Sequence, residues 1–163
     1  MDDEQSGNEA ESSALDSMLC FGLYAAARAM NRRYTALLAP WGLTYPQYLV
    51  LIVLWEQRSV TISELAEKLM LDLGTTSPLV KRLEERGFLS RERSVADERR
   101  VVVTATAQGL AMREQLAHIP ECIADATNIT FPEFTATLST LHAVTSHLST
   151  ASAGGVHVIE RQN

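Results

Sequence analysis

The chain has 163 residues, 46% of them apolar, with 14 basic against 20 acidic side chains, a net charge of −6 and two cysteines. That length supports one domain with a core of its own. Two cysteines exclude a structural disulfide framework, and the apolar runs stop short of the roughly 18 residues that a membrane span needs. A negative net charge argues against a nucleic-acid partner, yet its distribution reverses the argument. Six acids (Asp2, Asp3, Glu4, Glu9, Glu11 and Asp16) lie in the first 19 residues, which hold no Lys or Arg. The remainder is balanced, and half of all basic residues fall between 81 and 100: Lys81, Arg82, Arg86, Arg91, Arg93, Arg99 and Arg100. A basic stripe on a neutral body is a DNA-binding footprint. Five acids in the same window leave a solvated face of mixed charge as the alternative.

Residues 1–12 are acidic and polar and are expected to be disordered. Their opening, MDDEQSGNEAESS, lacks a basic start and an apolar core, so a cytoplasmic protein with mostly reduced thiols and no membrane association is expected. A helix is predicted over 14–38, capped by Ser13 or Asp16. Pro40, Gly42 and Pro46 break it, and Pro46 suits the first turn of the next helix, QYLVLIVLWE, which is apolar all round and therefore central. In SVTISELAEKLM, Thr61 and Glu64 have capping-box spacing, and Ile62, Leu65, Ala66 and Leu69 share one face. A further helix turns Leu79, Val80 and Leu83 inward and stops at Gly87. Propensity alone starts that helix at Ser77, with Pro78 in its first turn. FLSRERS and RRVVVTAT are β-prone and read as a hairpin across the polar VADE. Two helices follow, over about 106–128 and 131–149, with Pro120 kinking or interrupting the first. Residues 151–163 read as a flexible tail. Trp41, Trp55 and Tyr48 are expected in the core or lining a pocket.

Two short helices joined by a tight turn and followed by a basic hairpin make a winged helix-turn-helix, so the predicted fold is mainly α with a small β-wing. The second helix of such a unit enters the major groove. Thr75, Thr76 and Ser77 near its start are predicted to reach bases or phosphates, and Lys81 and Arg82 to pair with phosphates or guanine. The wing, with Arg91, Arg93, Asp97, Arg99 and Arg100, is predicted to reach the adjacent minor groove.

The stretch ISELAEKLMLDLGTTSPLVKRLEERGFLSRERSVADERRVVVTAT resembles the DNA-binding lobe of MarR-family repressors, with the DERR wing, a strand and T-x-x-G as typical features. The resemblance runs from 15 to about 148. It implies a single MarR-type domain over 13–150, with the winged-helix lobe at 45–104. The N- and C-terminal helices, 13–39 and 106–149, are implied to form a dimerisation domain, giving a homodimer on a pseudo-palindromic operator in double-stranded DNA. It also implies that Pro78 lies inside the reading helix, against the propensity reading. Within the family, LCFGLYAAARAMNRRY and LTYPQYLVLIVLWE resemble the organic hydroperoxide sensors called OhrR. The resemblance implies that Cys20 is the peroxide-reactive residue and that Tyr34 and Tyr45 hydrogen-bond its sulfur from the partner subunit. The branch usually reads LDSGTLTP where this chain reads LDLGTTSP, so Leu73 replaces a serine and the operator is not carried over.

On this reading organic hydroperoxide oxidises Cys20 to a sulfenic acid and the repressor releases its operator. The resemblance places Cys122 in the region of a resolving cysteine. One alternative is a dimer-helix cysteine that never pairs, and a second is capping of Cys20 by a low-molecular-weight thiol. A packed, inert apolar thiol is the plain alternative for Cys20. His118 and Cys122 stand four apart, but no further ligands join them, and no metal or cofactor is expected. Other functions remain open at this point. One is a repressor induced by a small aromatic ligand. Another is an architectural DNA-coating protein. A third is a thiol peroxidase, for which Arg28, Arg32 and Arg33 stand 8 to 13 residues from Cys20, too far for local contact. An enzyme is not expected.

Overall fold

The computed structural model describes residues 13–93, 97 and 100–153. The expected disorder of 1–12, Arg99 and most of the wing tip, and the tail from 154 lie outside the described residues. The chain divides into two compact units, one ending at Ile123 and one beginning at Ala124.

Ser13 and Asp16 close a turn, not the first helix. The Ser13 N–H donates to Asp16 Oδ2 at 3.1 Å, and the Leu15 N–H donates to Ser13 Oγ at 3.3 Å. The helix itself, α1 (Leu19–Leu38), begins five residues later than the sequence suggests, after an uncapped Met18 in extended conformation. The local hydrogen bonds of Ser13 and Asp16 compete with helix and hold the backbone in the turn.

The second helix, α2 (Tyr45–Gln57), has Pro46 in its first turn and a full capping box between Thr44 and Gln47. It is the central helix: Val50, Leu51 and Leu54 have no exposed surface. A short strand, β1 (Ser59–Thr61), follows it and was not expected from sequence. Thr61 ends that strand and caps α3 (Ile62–Leu69) by the predicted box with Glu64. The reading helix, α4, spans Leu73–Glu85 with Pro78 inside it. Asp72 caps it, five residues ahead of Ser77: its carboxylate accepts the Thr75 N–H at 2.6 Å. Pro78 removes one i→i−4 bond, and the carbonyl that loses its donor is that of Gly74, in the exposed first turn. Gly87, at φ 76°, ends the helix: its N–H reaches the Glu84 carbonyl and that of Phe88 the Leu83 carbonyl.

The hairpin strands β2 (Leu89–Arg93) and β3 (Val101–Ala105) are antiparallel, and β1 pairs with the free edge of β3, giving the order β1-β3-β2. Val103 of β3, opposite Val60 and Arg91, is fully buried under the sheet. Beyond β3 the predicted helix over 106–128 is two helices, α5 (Ala107–Gln115) and α6 (Ile119–Thr127). The interruption falls just ahead of Pro120, as Pro120 demands.

The wing and α5 meet at a close backbone junction. Thr106 caps α5 by accepting the Gly109 N–H, and its hydroxyl donates to the Gly87 carbonyl at 2.6 Å. The Trp55 indole N–H donates to the Gly109 carbonyl at 2.8 Å. A Cβ on Gly109 would lie 1.9 Å from the Phe88 carbonyl oxygen. The T-x-x-G pattern therefore encodes a backbone approach that no side chain fits.

In the second unit, α7 (Phe131–Ala153) exposes Phe131, Phe134, Leu138, Leu141 and Leu148. The spacings of three, four and three through Leu141, with Leu148 one heptad later, form a seam of period 3.5.

Gly109→Ala is expected to destabilise the protein by about 3 kcal/mol. Urea unfolding should show a lower midpoint at unchanged slope. An unchanged midpoint would mean that α5 does not approach the Phe88 backbone as closely as described.

Candidate functional site

The basic stripe resolves into residues held for two different purposes. Lys81 and Arg82 are exposed on α4 and, with Ser77, Pro78, Glu85 and Arg91, line an open concavity between α4 and β2. Lys81 meets Glu85 at 3.8 Å, a surface i,i+4 pair of little energetic weight. Arg93 is exposed on β2, and Asp97 and Arg100 are exposed at the wing. The Arg100 N–H donates to the Asp97 carbonyl at 2.9 Å, and its guanidinium lies 3.4 Å from Glu64.

Other members of the stripe are tied to the fold. Arg86 donates to the backbone carbonyls of Trp41 and Gly42 and stacks on Phe88 with its guanidinium 4.9 Å from the ring centre. Arg91 donates through Nε to Glu84 Oε2 at 2.8 Å, while its backbone N–H donates to Glu84 Oε1 at 3.0 Å. This clamp joins β2 to α4. The Arg91 hydrogen bond, above all, holds the Glu84 carboxyl below the usual carboxylate range. Arg91 therefore faces the concavity with its charge already matched. Thr76 corrects the sequence reading: it is fully buried, and its hydroxyl donates to the Asp72 carbonyl at 2.9 Å, so it is turned away from any base. Ser77 is partly exposed and Thr75 exposed, the latter with its hydroxyl donating to Asp72 Oδ2 at 3.0 Å.

The second group of candidate residues comprises two thiols and a cluster of phenols. Cys20 is the second residue of α1, exposed, and a free thiol. Cys122, on α6, is a free thiol of intermediate exposure. Tyr34 and Tyr45 are brought together: their rings stack with centres 4.2 Å apart, and Tyr48 adds a tilted ring 5.9 Å from Tyr34. Burial, with lesser contributions from Tyr45 and Tyr48, pushes the Tyr34 phenol up to about 12. Burial also raises Tyr45 and Tyr48. Cys20 is not part of this cluster within the chain. Fourteen residues of continuous helix separate it from Tyr34, an axial distance of about 21 Å.

Residues 43–101, the helix-turn-helix and wing, match the model of the MarR family. The HTH-type transcriptional regulator TtmR of Methylorubrum extorquens is 42% identical over 145 residues, 89% of this chain and 74% of the relative. The chain belongs to the MarR family. It is a DNA-binding transcriptional regulator of that family. The organic hydroperoxide resistance transcriptional regulator of Bacillus subtilis is 41% identical over 116 residues, covering 71% of this chain and 79% of the relative. Among solved structures, AbfR of Staphylococcus epidermidis aligns at TM-score 0.69 and 32% identity over 80% of this chain and 90% of that one. AbfR has also been solved in reduced form bound to DNA and in a disulfide form.

Two residues of the MarR lobe escaped sequence reasoning. Asp72 was masked by Pro78, although its spacing to Thr75 is that of an N-cap. Glu84 carries no local sequence signal, because its partner, Arg91, is on another element. Leu73 was noted for what it replaces, and it proves to be exposed in the first turn of α4.

A phenol whose pKa is higher in the folded chain stabilises the fold at every pH below the ordinary phenol value. That contribution is lost as the pH rises from about 10 through about 12. Absorbance titration of the native protein should therefore show a phenol step near 12 that Tyr34→Phe removes. Complete ionisation near 10 while the protein remains folded would contradict the packing of this cluster.

Proposed function

We propose that this MarR-family regulator is a homodimeric, thiol-based sensor that binds a pseudo-palindromic operator and releases it when organic hydroperoxide oxidises Cys20. The observation that carries the reading is the separation of Cys20 from the stacked phenols along α1. Within one chain the exposed sulfur and its expected donors stand about 21 Å apart along the axis, so Tyr34 and Tyr45 meet a Cys20 only if it comes from a second copy. The exposed seam on α7, with Phe131 80% and Leu148 63% exposed, supports such a pairing of chains. The likeness to the Bacillus subtilis regulator, by its name an organic hydroperoxide resistance regulator, supports the choice of oxidant.

The chemistry balances simply. The Cys20 thiolate attacks a peroxide oxygen, the O–O bond breaks, and an alkoxide leaves to take up a proton as the alcohol. The sulfur becomes a sulfenic acid. A second thiol, that of Cys122 from the partner or of a small molecule, then condenses with it and releases water. DNA contact on this reading comes from Thr75, Ser77, Lys81 and Arg82 of α4 and from Arg93, Asp97, Arg99 and Arg100 of the wing. Arg91 contributes through its pair with Glu84.

Cys20→Ser is expected to bind the DNA upstream of its own gene as tightly as the parent and to stay bound in cumene hydroperoxide, whereas the parent dissociates. A gel shift over a peroxide series reads both. Release of Cys20→Ser at the parent's peroxide dose would move the sensor elsewhere.

A further inference from the structure

The first turn of α4 presents an unusual surface to whatever it meets. Leu73 opens the helix and is 52% exposed. Gly74 has no side chain, Thr76 is buried, and the one hydroxyl proton of Thr75 is already given to Asp72 Oδ2. The leading turn therefore carries no free side-chain donor: Thr75 can accept, and Leu73 offers only methyl groups. Side-chain donors return with the partly exposed Ser77 and, about two turns after Leu73, at Lys81 and Arg82.

We infer that Leu73 is a specificity-determining residue that reads the 5-methyl group of a thymine in each half-site of the operator. The inference rests on the reading of α4 as the helix that enters the major groove. There the leading residues of the helix face base edges, and the thymine methyl is the apolar feature that a major-groove edge displays. The cationic concavity immediately beside this turn, with Lys81, Arg82 and Arg91 in its lining, is complementary to the flanking phosphates. An exposed leucine pressed against any other base edge would desolvate a donor or acceptor without pairing it, which disfavours those sequences.

The test uses the full-length protein and a duplex that the protein itself selects from a random pool. Each thymine is replaced in turn by deoxyuridine, which keeps every hydrogen-bonding group and deletes the methyl. Wild type should lose affinity by about fourfold at one symmetric position per half-site, the value of one buried methyl group. Leu73→Ala should bind thymine and uracil duplexes equally at that position, and Leu73→Ser should lose the preference in the same way. Lys81→Ala should weaken both duplexes alike and keep their ratio. No uracil penalty at any position in wild type, or a penalty that survives in Leu73→Ala, would overturn the inference while leaving α4 as the reading helix. Selection of no sequence at all would overturn the reading of α4 and the inference with it.

Discussion

A helix cannot be folded back on itself, and α1 is continuous from Leu19 to Leu38. Its rise fixes the distance between the two chemistries it carries, an exposed thiol at the N-terminal end and the first of three packed phenols near the C-terminal end. Tyr34 stacks on Tyr45, which begins α2, so the phenol end of α1 is anchored to the central helix of the lobe. The thiol end is left exposed. On the proposed reading a second chain completes the site. Each Cys20 would then report directly on the partner's α2, which itself packs on α4.

That route is short enough to carry a switch. Charge-assisted hydrogen bonds to a sulfur anion are worth roughly 1.5–3 kcal/mol each, and about 1.4 kcal/mol changes an equilibrium tenfold. Loss of two such bonds at each of two sites is sufficient to move a regulator off its operator. The elements of the reading head are tied to one another. Glu84 clamps Arg91 of the wing to α4, Thr61 joins β1 to α3, and Thr106 with Gly109 locks α5 against Phe88. On the proposed reading, a displacement delivered to α2 would be passed to reading helix and wing together.

Local signals made much of this legible. The Thr61–Glu64 box, the Gly87 stop and the Pro120 interruption are short-range features, and each appears in the structure where sequence placed it. What was not legible required knowing which elements meet. Strand β1 is three residues long and exists because β3 offers it an edge. Arg86 and Arg91 look like part of one basic stripe, but carbonyls of the α1–α2 connection hold the first and Glu84 holds the second. Thr76 looks like a base reader by position, and burial removes it. The start of α4 at Asp72 was available to propensity reasoning and lost to the stronger signal of Pro78, whereas the family resemblance implied only that Pro78 lies inside the helix.

The proposed division of the thiol site between two chains can be tested directly. Heterodimers are prepared from one chain carrying Cys20→Ser and another carrying Tyr34→Phe with Tyr45→Phe, and the rate of sulfenic acid formation at limiting cumene hydroperoxide is compared with that of each parent. If the phenols act across the dimer, the heterodimer keeps one intact pairing, the cysteine of the second chain with the phenols of the first, and reacts at about half the wild-type amplitude with the wild-type rate constant. If the heterodimer reacts no faster than the Tyr34→Phe/Tyr45→Phe homodimer, the phenols do not act on the partner's sulfur, and the account of α1 as a bridge between chains is wrong.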